Sequence, residues 1–235
     1  MLKKSLTFAL FAVLLIGSAA AEDFVIDNIS FSQPSTPAVR YANNDSRVRV
    51  GSKNRWLRLQ VDFVPAAKKR GDAWYDDVTM EGLLLLSRGK QDSATSYVVL
   101  TGETRFFTIP ADKKKHFGVF FVPPMLLARY CDEPQSAPKA VRLIRVAFYG
   151  PGRVLLGEGY WVAAGKKGRF VSPENKMYKT VAAQVKELEK PKRNVTFLRG
   201  GLYSKEMTPW NYLDYDAYDL IYENVRLQAG ESIQK

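Results

Sequence analysis

The chain has 235 residues, 46% of them apolar, a formal net charge of +11, one cysteine and one histidine. A lone cysteine excludes an internal disulfide, and one cysteine with one histidine excludes the usual zinc ligand sets. The length suits one domain whose core needs no covalent staple.

Residues 1–21 read as a secretory leader. Lys3 and Lys4 form the basic start, Leu6–Ile16 the apolar run and Ala19-Ala20-Ala21 the small-residue cleavage site. The apolar run is shorter than the roughly 20 residues that a spanning helix needs. Cleavage before Glu22 is expected, leaving a mature chain with no membrane span, exported to the periplasm or the cell surface. The leader takes two lysines with it, so the mature charge is +9. A lipoprotein would need a cysteine at the cut, and the cysteine is Cys131. Gly17 and Glu22 have the spacing of a prepilin cut, but the apolar run precedes Gly17 instead of following it. Export sets nucleic acid aside. It turns the basic charge towards envelope polymers, acidic glycans or acidic proteins, with plain solubility as the alternative.

Phe24–Phe31 predicts a first strand, and Gln33–Ala38 a break. Arg47–Val50 is a possible short edge strand. Arg55–Val64 carries the cleanest period of two: Leu57, Leu59, Val61 and Phe63 on the packed side, Trp56, Arg58, Gln60 and Asp62 on the wet side. Val78–Ser87 is a strand whose run Leu83–Leu86 implies burial on both faces. Ser96–Thr101 and Glu103–Ile109 form a hairpin or one bent strand about Gly102. His116–Val122 is a strand ended by Pro123-Pro124. Met125–Tyr130 is a helical turn or a strand remnant, and Asp132–Lys139 a loop. Val141–Tyr149 and Arg153–Ala164 make a hairpin around Gly150-Pro151-Gly152. Short strands with turn signals at regular spacing predict a mainly β, antiparallel sandwich, with a closed barrel as the alternative. The Cys–Trp–Cys pin of immunoglobulin domains is absent, so the likeness to them is architectural.

After Gly168 the pattern changes. Ser172-Pro173-Glu174 reads as a helix start, and Met177, Val181, Val185 and Leu188 recur at helical spacing. That stripe is expected to lie on the sandwich. Thr208-Pro209 could cap another short helix, and an aromatic, acidic tail follows. The expected organisation is a leader (1–21), an immunoglobulin-like sandwich (22–168), and a C-terminal helix with an aromatic extension (169–235).

No catalytic, cofactor-binding or metal-ligating constellation stands out. A Ser-His-Asp triad would have to use His116, and no Gly-x-Ser-x-Gly elbow exists. Asp214, Asp216, Asp219 and Glu223 are close together, but Tyr218 and the missing glycine break the calcium-loop pattern. Arg70-Gly71-Asp72 spells the integrin-binding tripeptide, a match that chance also produces. The basic runs Lys68–Arg70, Lys113–Lys115, Lys166–Arg169 and Lys190–Arg193 are solvated loops unless the fold gathers them. The binding candidates are Trp210, Tyr212, Tyr215 and Tyr218, because such rings supply stiff contact area for a protein or a sugar. Their plain alternative is to cover an open face of the sandwich.

FVIDNISF, RWLRLQVDFV, HFGVFFVPPMLLARY and VRLIRVAFYGPGRVLLGEGYWVAA, followed by a helical aromatic tail, resemble the pilus-like envelope proteins encoded with type IV pilus-type systems in Verrucomicrobia. The resemblance implies an immunoglobulin-like fold and an envelope role tied to a pilus or surface assembly. It supplies no catalytic residues. The missing prepilin helix points to an accessory and not to a polymerising subunit. The expectation is therefore a non-enzymatic protein that binds envelope or pilus proteins. A carbohydrate-binding module or adhesin, with glycans as ligand, is the alternative.

Overall fold

A computed structural model describes residues 23–37, 54–67, 73–88, 96–131, 133–164, 167–188, 190 and 195–211. The leader, the possible edge strand Arg47–Val50 and the Arg70-Gly71-Asp72 tripeptide lie outside the described residues, as do Tyr212, Tyr215, Tyr218 and the acidic tail.

Two open sheets form a mainly antiparallel β-sandwich. One holds β1 (Phe24–Ser32), β2 (Leu57–Pro65) and β5 (His116–Val122), in the order β1-β2-β5. The other holds β3 (Trp74–Arg88), β4 (Ser96–Pro110), β6 (Val141–Tyr149), β7 (Leu155–Ala164), β8 (Lys167–Val171) and β9 (Val195–Leu198). Its order is β8-β7-β6-β3-β4-β9, and β4–β9 is its parallel pair. Helices α1 (Pro124–Tyr130) and α2 (Ala137–Ala140) lie in the connection from β5 to β6, and α3 (Tyr178–Leu188) follows β8.

Period-two patterning explains the inner faces. Leu57, Leu59, Val61 and Phe63 are fully buried, while Arg58, Gln60 and Asp62 are half-buried on the other side of β2. Phe24, Phe63, Phe106 and Phe148 come from four strands of both sheets and meet in one ring cluster, with Phe63 and Phe148 centroids 4.6 Å apart. Such contacts add to the burial of each ring. The run Leu83–Leu86 is indeed buried on both faces. Leu84 and Leu86 face the inter-sheet core, while Leu83 and Leu85 pack beneath α3 with Val99, Leu143, Val181 and Val185.

Several local readings are corrected. Trp56 is not on the wet side: it precedes β2 and turns inward, and its indole N–H donates to Thr36 Oγ1 at 3.0 Å. Of the two forms expected for Ser96–Ile109, the single strand is the one found: β4 runs unbroken through Gly102, which pairs with Gly82. Asp132–Lys139 is not a plain loop, since a 3-10 turn at Pro134–Ser136 and α2 occupy much of it and bury Ala137. Ser172-Pro173 opens a turn and not the helix. The helix begins at Tyr178, and in the turn before it Asn175 Oδ1 accepts the Met177 N–H at 3.0 Å. Met177 is consequently exposed, while Val181 and Val185 carry the buried stripe.

Two glycines let the sandwich close at its sides. A Cβ on Gly157 of β7 would stand 2.0 Å from the Phe24 carbonyl oxygen of β1. A Cβ on Gly102 of β4 would stand 2.0 Å from the Leu202 carbonyl oxygen. In both cases the obstacle is backbone, which cannot rotate away. Gly157→Ala and Gly102→Ala should therefore each cost on the order of 3 kcal/mol or more. Thermal melting of each variant should show a large fall in Tm; a wild-type Tm for either would refute the close approach at that site.

Candidate functional site

The six-stranded sheet turns its outer face away from the sandwich, and α3 covers only part of it. Beyond the helix the strand faces become polar. Glu81 of β3 sits directly opposite Glu103 of β4, and Leu83 is flanked by Thr101 and Arg145. Like charges directly opposed across strands repel, and Arg153 answers the repulsion. It lies in the turn after β6, and its guanidinium donates to Glu81 Oε1 at 2.5 Å while lying over the Tyr149 ring. Arg153 holds a left-handed backbone (φ 65°), a conformation that costs a non-glycine residue about 1 kcal/mol.

Arg145 anchors the floor. Its Nε donates to Glu158 of β7 and its Nη2 to the Tyr149 hydroxyl at 3.0 Å. The second Glu158 oxygen accepts from the Tyr178 hydroxyl of α3 at 2.6 Å, which ties the helix to the sheet. Burial alone would make Arg145 easier to deprotonate, but the Glu158 carboxylate and the Tyr149 hydroxyl outweigh it, so the guanidinium is held above its ordinary value. Burial, and then the Glu158 charge, push the Tyr160 hydroxyl well above its usual range.

Glu81, Glu103, Arg145 and Arg153 floor a groove of about 1410 Å³, walled by the end of α3 at Leu188, by β9 and by the segment through Leu202 and Met207. Its rim is apolar: Phe197 is 41% exposed and Met207 60% exposed. Lys190 and Arg199 add positive charge to the lining, although Lys190 also pairs with Glu187. Of the basic runs, Lys68–Arg70 lies outside the described residues, as do Lys166, Lys192 and Arg193. Lys115 lies elsewhere and pairs with Asp27 of β1 at 2.5 Å.

Of the ring residues singled out from the sequence, Trp210 is described, and it belongs to the core. It is 9% exposed, stacks on Phe121 at 5.0 Å and meets Trp56 edge-on at 5.4 Å. It is held by a turn in which Thr208 Oγ1 donates to the Lys205 carbonyl at 2.7 Å and accepts from the Trp210 backbone N–H at 3.2 Å. Thr208-Pro209 thus begins a turn among the described residues and no helix there. So placed, Trp210 offers almost no ring face to a ligand. His116 is structural in its contacts, with Nε2 3.0 Å from Asp112 Oδ1 and its ring against Phe63. Among the described residues no group of three or more His, Cys, Asp or Glu side chains could hold a metal ion. No helix there is long and apolar enough to cross a membrane. The sequence held a faint signal for the groove: Glu81 and Arg145 stand in strands beside the apolar runs Leu83–Leu86 and Val146–Phe148, and Glu158 is the one charge in β7.

The fold and the groove define a two-sheet β-sandwich with one sheet face part-covered by a helix. A family model matches residues 17–225, and the chain belongs to the family that it describes. A crystal structure of a protein from Akkermansia muciniphila, a verrucomicrobium, is similar, with a TM-score of 0.61 and 15% identity over 85% of this chain and 92% of that one. At that identity the likeness concerns the fold. Among curated proteins none matches this chain.

Trp210→Ala should lower unfolding stability by about 3–5 kcal/mol, as expected for a ring removed from a core. Denaturant titration would measure it, and a change below 1 kcal/mol would contradict the core placement. Glu158→Gln, which leaves Arg145 without its counter-charge, should cost about 1–3 kcal/mol. Arg153→Ala at the exposed pair should leave the unfolding midpoint nearly unchanged in the same titration.

Proposed function

We propose that this is an exported, non-enzymatic envelope protein that binds other proteins of a pilus-like or secretion assembly through the groove on its six-stranded sheet. Membership of the matched family supports the reading, since the family's name suggests a pilus-like role and an extracellular setting. The observation that carries it is the exposure of Phe197 and Met207 on the rim of a large groove whose floor arginines are already ion-paired, Arg145 with Glu158 and Arg153 with Glu81. An apolar rim over a satisfied polar floor suits docking of a protein segment more than attack on a bond. The finer fold assignment follows the same line. The order β1-β2-β5 opposite β4-β3-β6-β7 supports reading the sandwich as immunoglobulin-like, with β8 and β9 added at the two edges.

A photo-crosslinking residue at position 197, in intact cells, tests the proposal. Adducts with envelope-assembly proteins are expected there and not from position 125, where Met125 is also exposed but lies on α1. No adduct at 197, or the same adducts from both positions, would overturn the groove as the docking site.

A further inference from the structure

The β3–β4 ribbon runs on past the last rung of β6. Tyr149 pairs with Thr79, so β3 residues 74–78 and β4 residues 106–110 continue as an arm beyond the β6 ladder. The inner side of the arm is firmly seated. Tyr75, Val78, Phe106 and Ile109 are all buried against the three-stranded sheet, and the Tyr75 hydroxyl donates to the Ala66 carbonyl at 3.0 Å. Its outer side is different. Trp74 is 50% exposed and Phe107 is 70% exposed. Between them stands a polar pair, in which Thr108 Oγ1 donates to Asp76 Oδ1 at 2.8 Å. Arg105, next on the same face, is exposed as well.

We infer that this outer face of the arm is a carbohydrate-binding platform for neutral, pyranose-containing oligosaccharides. The inference stands apart from the protein-docking groove and does not depend on it. Phe107 and Pro110, the residue opposite Trp74, are three positions apart, so the two rings lie roughly 10 Å apart along the strands. A sugar chain presents alternating C–H faces and hydroxyls, and the arm presents ring, hydroxyl and carboxylate, ring in the same alternation. The rings take the C–H faces, Asp76 accepts from hydroxyl donors, and Arg105 donates to hydroxyl or ring oxygens. A protein partner fits less well. A stable interface buries roughly 800 Å² on each side around a dry apolar centre, whereas here a carboxylate and a hydroxyl occupy the centre. The inner-face packing fixes the strand geometry before any ligand arrives, which reduces the ordering cost of binding.

The test uses the full mature chain and three soluble probes, cellohexaose, chitohexaose and laminarihexaose, followed by calorimetric titration. Saturable binding of at least one is expected. Trp74→Ala and Phe107→Ala should each weaken it at least tenfold, and Asp76→Asn several-fold, with each variant shown by its thermal melt to be folded at the titration temperature. Lack of binding to all three probes would overturn the inference. So would binding that survives both ring substitutions, or a Trp74→Ala variant that loses a protein partner in cells while the wild type binds no sugar.

Discussion

The sandwich holds because backbone meets backbone at its two open sides. On one side the end of β1 presses on Gly157 of β7; on the other the segment after β9 presses on Gly102 of β4. The second contact does more than fill space. The Leu202 N–H donates to the Thr101 carbonyl of the six-stranded sheet at 3.1 Å, and Tyr203 exchanges two hydrogen bonds of 2.8 Å with Phe121 of the three-stranded sheet. Two successive residues thus join opposite sheets. Trp210 then seals the end by stacking on the same Phe121. The C-terminal part of the chain, as far as it is described, is structural wall and not an appendage.

That wall is also part of the groove. Leu202 and Met207 line it, so the segment that closes the core shapes the surface offered to a partner. The outer face of the large sheet is thereby divided into three zones. Apolar residues lie beneath α3, ion-paired residues floor the groove, and exposed rings mark the β3–β4 arm. Glu158 sits at the first boundary, joining Arg145 of the sheet to Tyr178 of the helix. Fold stability and site geometry therefore share residues, and a partner meets a surface set before binding.

Much of the fold was legible in the residues, for a local reason. The alternation in Leu57–Phe63 and the doubly buried run Leu83–Leu86 record which faces are packed, and period two needs no long-range knowledge. Helical spacing located the Val181–Val185 stripe in the same way. What could not be read depends on partners far away in sequence. Trp56 looks solvent-facing by alternation, yet it turns inward to meet Phe121 and Trp210. Trp210 looks like a binding ring because its neighbours are polar, yet it fills the end of a core built mostly from residues over a hundred positions earlier. Ser172-Pro173 has the composition of a helix start, but a turn closed by Asn175 intervenes and the helix starts at Tyr178. The site was legible only as charges in apolar strands. Which of Glu81, Arg145 and Glu158 meet, and that Trp74 and Phe107 share one open face, follows from pairing register, which a single strand does not encode.

Native-state hydrogen exchange at the Leu202 and Tyr203 amides tests the central claim most directly. If this segment stitches the two sheets together, both amides exchange as slowly as those of β2, the central strand of the three-stranded sheet, and are released with the global unfolding of the sandwich. Rapid exchange at Leu202 and Tyr203, while the β2 and β3 amides stay protected, would show that the sandwich closes without them and would remove the wall on which the groove depends.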